Sequence, residues 1–364
     1  MKIKEITDYL ESLAPISSQE SYDNSGLIVG EFSKEVTKVL ISLDCIESTV
    51  DEAIESGCEL IIAHHPIIFQ GLKKLNNSNY IERTVIKAIK NDIAIYAIHT
   101  NFDNYRFGVN DEIADRLKLM NRKILAPKLN VLSKISFFVP QANKEKVLKA
   151  MFAVGAGDIG EYSECSFQTE GTGTFKPSEN ARPFEGKPGE LSNVTEVRVE
   201  VLCSQYVIGA VLSAMMEAHP YEEVAHDVYV LKNKNQFEGS GMIGELEDEM
   251  DEFTFLTQLK STFNCGVIRH TELLGKKIKT VAFCGGSGSF LLENAKSKKA
   301  DIFITGDFKY HEFFDADKQI VIADIGHFES EQYTSHRLER ILTKKFTKFA
   351  VQLTKENTNP IKYF

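Results

Sequence analysis

The sequence predicts an α/β protein whose main domain is interrupted by a smaller, ferredoxin-like α+β domain. In the first and last thirds of the chain, short runs of β-branched residues alternate with helical patterns, an order typical of a mostly parallel sheet. The middle third has the order βαββαβ, which is typical of a ferredoxin-like unit. We therefore expect residues 130–235 to be an insertion that divides the α/β domain into residues 1–129 and 236–364.

The flanking segments carry the alternation of strands and helices. In the first third, strand-like runs and helical patterns follow one another at 38–44, 48–57, 60–63, 81–92 and 93–98. The last third repeats this style at 279–284, 289–298, 301–305, 319–324 and about 330–346. Such an alternation predicts parallel strands joined by helices.

The insertion has a pattern of its own. We predict strands at 134–140, 163–175, 194–203 and 225–232, and helices at 143–155 and 205–218. Residues 176–193 are rich in proline and glycine, which predicts a loop between the second and third strands. A unit of this size is large enough to be a small domain.

Composition restricts the classes of partner. The chain has 364 residues, of which 43% are hydrophobic and 26% are charged, as in ordinary globular proteins. Its net charge of −10 argues against nucleic acid as the main partner, because nucleic acid selects for a basic surface. The sequence contains no run long enough to span a bilayer, no signal-peptide pattern and no C-x-x-C pair among its six cysteines. We expect a soluble cytoplasmic protein with reduced thiols.

Two adjacent histidines, His64 and His65, follow the apolar run at 60–63 directly. Pro66 disfavours helical angles at His65, so the pair is expected to be extended. Neighbouring side chains of an extended chain point to opposite faces, so two such ligands reach two different metal ions more easily than one. An isolated pair of this kind is more often structural, so other ligands are needed to support a metal site.

Further histidine and carboxylate side chains follow other predicted strands. His99 and Asp103 come after the run at 93–98, and His327 and Glu331 come after 319–324. The last two are four residues apart, which places them on one face of a helix. Taken singly, His327 and Glu331 suit a surface ion pair, and Asp103 suits a helix cap. Together at the carboxyl ends of strands, they predict a site for two divalent ions, with zinc as the first choice and manganese, iron or cobalt as alternatives.

Five motifs in these segments resemble the NIF-three-like family, whose members are called GTP cyclohydrolase 1 type 2 homologues. The motifs are DNSGLIVG (23–30), AHHP (63–66), HTNFD (99–103), TGDFKYHE (305–312) and GHFESE (326–331). The insertion is similar to the PII-like (CutA-like) domain of the longer members. The resemblance implies that His64, His65, Asp103, His327 and Glu331 hold two metal ions, with Glu331 bridging them. It also implies a ring-shaped homohexamer whose metal sites face an internal cavity.

The predicted function is metal-dependent hydrolysis of a small phosphorylated or nucleotide-like substrate. We expect His65 and Asp103 to complete one ion's ligands and His64 and His327 the other's, with His99 or His311 as the acid. Asp307 is a further residue that could orient a ligand. The alternative is a non-catalytic regulatory or metal-sensing assembly whose insertion binds a small effector or a partner protein.

The glycine-rich stretch CGGSGS (284–289) has two interpretations. It could hold a substrate phosphate with backbone N–H groups at a helix start, or it could be a plain tight turn. It lacks the lysine of a P-loop and the spacing of a dinucleotide-binding turn, which favours the turn.

Overall fold

A computed structural model describes residues 1–160 and 162–364. The chain divides into two compact units: unit 1 is Met1–Pro127 with Phe237–Phe364, and unit 2 is Lys128–Gln236. None of the helices in these described residues is long and apolar enough to span a membrane. All six cysteines are free thiols.

The first part of unit 1 alternates helices and strands as the sequence predicts. Its elements are α1 (Ile3–Leu13), β1 (Gly26–Val29), β2 (Lys38–Ser42), α2 (Glu47–Ser56), β3 (Leu60–Ala63), α3 (Tyr80–Lys90), β4 (Ala94–Ala97), α4 (Thr100–Asn104), α5 (Val109–Arg116) and β5 (Met120–Pro127). Strands β2, β3 and β4 are fully or almost fully buried, because helices cover the sheet they form.

Unit 2 consists of β6 (Leu132–Pro140), α6 (Lys144–Phe152), β7 (Ser166–Phe175), β8 (Ser192–Ser204), α7 (Ile208–Ala218) and β9 (His226–Leu231). The strands form an antiparallel sheet in the order β7-β8-β6-β9. Its core packs apolar side chains of α6 and α7 against one face of this sheet. The element order is thus βαββαβ, while kinship with PII-like or CutA-like domains stays a prediction.

The chain then returns to unit 1. The remaining elements are β10 (Gly239–Asp251), α8 (Glu252–Thr262), β11 (Arg269–His270), β12 (Lys277–Ser287), α9 (Leu292–Ser297), β13 (Ile302–Gly306), β14 (Val321–Asp324), α10 (His327–Glu331), α11 (Thr334–Lys345) and β15 (Ala350–Leu353). The helical pattern predicted at 330–346 is divided in the structure into the end of α10 and α11. The terminal strand β15 was not predicted.

Unit 1 contains two sheets, where the sequence predicted a single one. The first has the order β1-β4-β3-β2-β15 and is parallel except at β1. The second has the order β11-β14-β13-β12-β10-β5, with a parallel centre and antiparallel edges. Alternating patterns predict strand and helix types but not which strands pair, so the sequence did not separate the two sheets.

Candidate metal centre

All five predicted metal ligands lie together in unit 1, beyond the carboxyl ends of two strands of its first sheet and one strand of its second. His64 and His65 follow β3 directly, and Asp103 lies in α4, just after β4. His327 and Glu331 are the first and last residues of α10, which follows β14. Open α/β sheets place their sites at such strand ends, because polar loops meet there.

Two of the three candidate metal-ligand groups among the described residues share Glu331. In the first, which we call the His64 group, His64 Nε2 lies 3.4 Å from Asp103 Oδ1 and 3.8 Å from Glu331 Oε1. In the second, the His65 group, the Nε2 atoms of His65 and His327 each lie 3.0 Å from Glu331 Oε2. The ligand atoms of each group lie within 4.8 Å of one another. Each oxygen of Glu331 therefore faces a different group.

The predicted division of ligands was wrong in its pairing. Asp103 lies with His64 rather than with His65, and His327 lies with His65 rather than with His64. The reason is the direction of the His64 ring, whose Nδ1–H donates to the carbonyl of Ile98 just after β4, at 2.8 Å. This bond turns His64 toward α4. Extended geometry predicts that adjacent side chains diverge but not which neighbour each one meets.

Each of the three histidines is oriented through its Nδ1 atom. The Nδ1–H of His65 donates to Asp44 and that of His327 donates to Asp307, both at 2.7 Å, as the Nδ1–H of His64 does to a carbonyl. The Nε2 atoms consequently face the shared carboxylate. Histidines that bind metals are typically fixed in this way by a carboxylate or carbonyl behind them.

Burial supports a cation at the His64 group. His64 is fully buried, and among the described residues neither His64 Nε2 nor Asp103 Oδ1 has a hydrogen-bond partner. Buried polar atoms without partners are destabilising, and a shared cation would satisfy both atoms at once. Nitrogen and carboxylate donors without thiolate suit zinc, manganese, iron or cobalt. The residues present therefore fit divalent metal binding.

The charges of the cluster also depend on one another. Burial would raise the pKa of Glu331, but His327 and the other histidines hold it well below its ordinary value. Burial and the charge of Glu331 raise the pKa of Asp103 to about 7. Against burial, hydrogen bonds with Asp44 and Glu331 raise the pKa of His65 to about 10. The charge of Glu331, opposed by burial and helped by Asp307, raises the pKa of His327 to about 11.

These pKa values predict that metal uptake strengthens as pH rises. In the metal-free protein both histidines of the His65 group carry a proton at neutral pH, and an ion must displace both. We expect zinc affinity of this group to rise about a hundredfold from pH 6.5 to 7.5, in chelator-competition titrations corrected for the chelator's own protonation. Equal affinity at both pH values would contradict the prediction.

The same protons on His65 and His327 also stabilise the metal-free fold. This stabilisation is complete below pH 6.5 and is lost as the pH rises through about 10 and 11.

His99, predicted as an acid, forms a third candidate metal group with His64 and His65, whose ligand atoms lie within 4.8 Å of one another. Its ring is 5.3 Å from that of His64 and 5.4 Å from that of His65. Its Nδ1–H donates to Asp23 at 2.7 Å, in the same arrangement as the ligand histidines. Burial would raise the pKa of Asp23, but hydrogen bonds from His99 and Thr100 hold it far below its ordinary value. His99 could thus be a further ligand or a proton donor.

His311, the other predicted acid, is not part of the cluster. It lies on the exposed 3₁₀ segment Tyr310–Ala316, with ring contacts to Tyr310 and Phe314. Among the described residues it joins none of the candidate metal groups. Its neighbour in sequence, Asp307, does reach the cluster by bonding His327. The sequence motif contains both residues and does not distinguish the one that reaches the cluster from the one that does not.

The glycine-rich stretch serves the site by leaving room for it. The N–H groups of Gly285, Gly286 and Gly288 donate to side chains of Asn110, Ser330 and Thr305. These bonds occupy the donors that a phosphate would need. Gly286 has φ +65°, and a Cβ there would lie 2.3 Å from Glu331 Oε1. The absence of a side chain lets the strand approach the shared carboxylate.

Sequence reasoning missed two carboxylates that bond histidines of the site, Asp23 and Asp44. It also missed the C-terminal segment that bonds Asp44. Thr358 is buried, and its hydroxyl donates to Asp44 Oδ2 while the other oxygen of Asp44 holds His65. Asp23 lies within one of the family motifs, which was the only available signal for it. Thr358 lies more than 300 positions from Asp44 in the chain, so no local pattern connects them.

This contact gives a second prediction. Thr358→Val keeps the shape but removes the hydroxyl, and we expect the metal affinity of the His65 group to fall about three- to tenfold. The loss should be smaller than the roughly 10- to 100-fold effect of removing a group that bonds a ligand directly. Thr354→Val is the control, because Thr354 bonds Glu52 in the same segment. Equal metal affinity in both variants, measured by chelator competition, would count against a role for Thr358.

Comparison with known proteins identifies the family. The model of the Duf34/NIF3 (NGG1p interacting factor 3) family matches residues 1–360. The chain belongs to this family. Among NIF3 relatives, the "GTP cyclohydrolase 1 type 2 homolog" of Halalkalibacterium halodurans is 39% identical over 363 residues, covering 98% of each chain.

Solved structures of the NIF3 family have the same fold. A Bacillus cereus protein related to NIF3 is 39% identical, with a TM-score of 0.86 over 100% of this chain and 99% of that one. A Staphylococcus aureus protein is 31% identical, with a TM-score of 0.80 and the same coverage. The resemblance predicted from the motifs is therefore confirmed at the level of the family.

Proposed function

We propose that this NIF3 protein holds two divalent ions, one in the His64 group and one in the His65 group, and hydrolyses a small phosphorylated or nucleotide-like molecule. The observation that carries the proposal is the position of Glu331, which offers one oxygen to each group. Two ions that share a carboxylate can also share a water, lower its pKa and polarise the bond it attacks. Zinc is the first choice of metal, with iron, manganese or cobalt as alternatives.

A cavity of about 630 Å³ opens beside both groups. This volume is typical of sites that bind small molecules, which supports a small substrate for the proposed reaction. Ligand residues of both groups line it, together with His99, but no lysine or arginine lines it among the described residues. An anionic part of the substrate would therefore depend on the metal ions for charge compensation. We infer that the reacting part of the substrate would lie against the proposed metal ions.

Aromatic side chains on the same cavity support a planar, nucleotide-like part of the substrate. Tyr22, Phe69 and Phe290 line the cavity and are 65%, 45% and 66% exposed. The rings of Tyr22 and Phe69 are stacked, with centroids 6.5 Å apart and planes at 15°. Exposed aromatic faces of this kind stabilise bound heterocycles by stacking.

His99 is the proposed proton donor to the leaving group, because Asp23 fixes its Nδ1 and leaves Nε2 for exchange. We predict that His99→Asn lowers kcat by about 10²- to 10⁴-fold while both ions stay bound. His311→Asn is the control and should leave kcat unchanged. Loss of the ions in His99→Asn would instead identify His99 as a metal ligand.

The experiment that tests the function is turnover by metal-loaded protein on a panel of nucleotides, phosphoesters and cyclic amides. Turnover that chelation abolishes and added metal restores supports the hydrolase. No turnover across the panel favours the alternative, a regulatory or metal-sensing assembly in which unit 2 binds an effector or partner. The family resemblance supports a homohexamer in either case, and light scattering should then give the mass of six 40.9 kDa chains.

A further inference from the structure

A second cavity, of about 540 Å³, lies wholly within unit 2. The end of β7, the loop that follows it and the segment after α7 form its walls. Aromatic and charged side chains line it: Phe175, Lys176, Phe184, Glu185, Glu196, Tyr221, Glu222 and Glu223. The metal-ligand candidates of the described residues all lie in the other unit, so this cavity is a separate feature.

Three aromatic rings form one wall of this cavity. Phe175 and Phe184 lie with ring centroids 6.5 Å and 6.1 Å from that of Tyr221, and their planes are tilted from it by 54° and 48°. Phe184 is 55% exposed, although it is a large apolar side chain. Tilted rings present several faces to one space, and aromatic faces attract cations through their quadrupoles.

A buried carboxylate lines the same cavity. Glu196 on β8 is only 8% exposed, and it lies over Gly173 of β7, where a Cβ would come within 1.9 Å of Glu196 Oε2. The nearby cations Lys134 and Arg198 both pair with Glu200 instead. In the part of the chain that the structure describes, no lysine or arginine forms an ion pair with Glu196. A buried carboxylate without a cation is destabilising, so a positively charged ligand would be favoured.

The other charges around the cavity are mostly negative. Glu185, Glu222 and Glu223 line it, and Lys176 is the only lysine or arginine among its described lining residues. Burial and the neighbouring carboxylate of Glu196 raise the pKa of the Tyr221 hydroxyl. The local field is therefore unfavourable to an added anion and favourable to an added cation.

We propose that unit 2 binds an organic cation, a small ammonium compound, between the carboxylate of Glu196 and the rings of Phe175, Phe184 and Tyr221. One carboxylate beside three rings suits an ammonium group with an apolar body better than a metal ion, which needs several donor atoms. This site is independent of the proposed hydrolase activity.

The test uses the full-length protein and calorimetric titration with choline, phenethylammonium and 3,3-dimethylbutan-1-ol, the neutral isostere of choline. Both cations are expected to bind, and the neutral isostere should bind at least about tenfold more weakly. Binding should be unchanged after metal removal by a chelator, which separates this result from that of the metal site.

Four variants sharpen the test. Glu196→Gln should weaken choline binding about tenfold, and Phe184→Leu, at an exposed position, should weaken it about threefold. Lys176→Gln should strengthen it about two- to threefold, because a like charge is removed. Glu145→Gln, at an exposed position of α6 outside the cavity lining, should change nothing. The proposal is overturned if neither cation binds, if the isostere binds as well as choline, if Glu196→Gln has no effect, or if Lys176→Gln weakens binding.

Discussion

Glu331→Gln is expected to abolish binding of both proposed metal ions and the proposed metal-dependent turnover. The substitution keeps the size of the side chain but replaces a shared anion by a neutral amide. Each oxygen of Glu331 faces one ligand group, so both groups lose their common negative charge. Because two cations side by side repel each other, they depend on that charge. We expect the affinity for both ions to fall more than about a hundredfold. This is a larger loss than that caused by removing a residue that only hydrogen-bonds a ligand.

Two comparisons isolate the shared role. His64→Ala and Asp103→Asn should both weaken the ion of the His64 group, whereas His327→Ala should weaken the other ion. Glu329→Gln is the matched control, since Glu329 is also buried in α10 but belongs to neither group. Metal content per chain after dialysis against a mild chelator is the measurement. If Glu331→Gln loses only one ion, the sharing of Glu331 is refuted.

Gly286→Ala is expected to lower the affinity for both ions about 10- to 100-fold without touching a ligand residue. The new methyl group would lie 2.3 Å from Glu331 Oε1 and 3.4 Å from a carbon of the His327 ring. The carboxylate must then move, because the strand backbone that carries the methyl is held by hydrogen bonds on both sides. A displaced ligand binds metal less well.

Gly57→Ala separates this crowding from backbone strain. Gly57 has φ +68°, almost the same as the +65° of Gly286, so alanine costs about 1 kcal/mol of strain at either position. A Cβ at Gly57 would meet nothing within 4 Å among the described residues. Both variants should therefore unfold at a slightly lower temperature, while only Gly286→Ala loses metal. Equal metal content in the two variants would show that the clearance at Gly286 is unimportant.

The sequence by itself determined the element types around the site and the family. The runs before His64, His99 and His327 are apolar and short, and all three are followed in the structure by the expected polar loops or helices. The four-residue spacing of His327 and Glu331 predicted that both side chains lie on the same face of a helix, and both residues belong to α10. These signals are local: each depends on bonds and side-chain periods that span a few residues.

Only the tertiary structure decided which ligands meet. The pairing of His64 with Asp103 follows from a bond between the His64 ring and the end of a neighbouring strand, and the pairing of His65 with His327 follows from the second sheet of unit 1. The sequence predicted one sheet, so it could not place these partners. Adjacent extended residues differ in direction, but the packing of the sheets determines what lies in each direction.

The same holds for the groups that support the ligands. Thr358 bonds Asp44 across 314 positions of the chain, and Asp44 in turn bonds His65. Among the described residues, Asp307 bonds a candidate ligand whereas His311, four positions later, joins no candidate metal group. Gly286 reads in the sequence as part of a turn, yet its role depends on Glu331, which approaches it from another element. Contacts between distant segments are set by how whole sheets and helices pack, and a local sequence pattern carries no record of that packing.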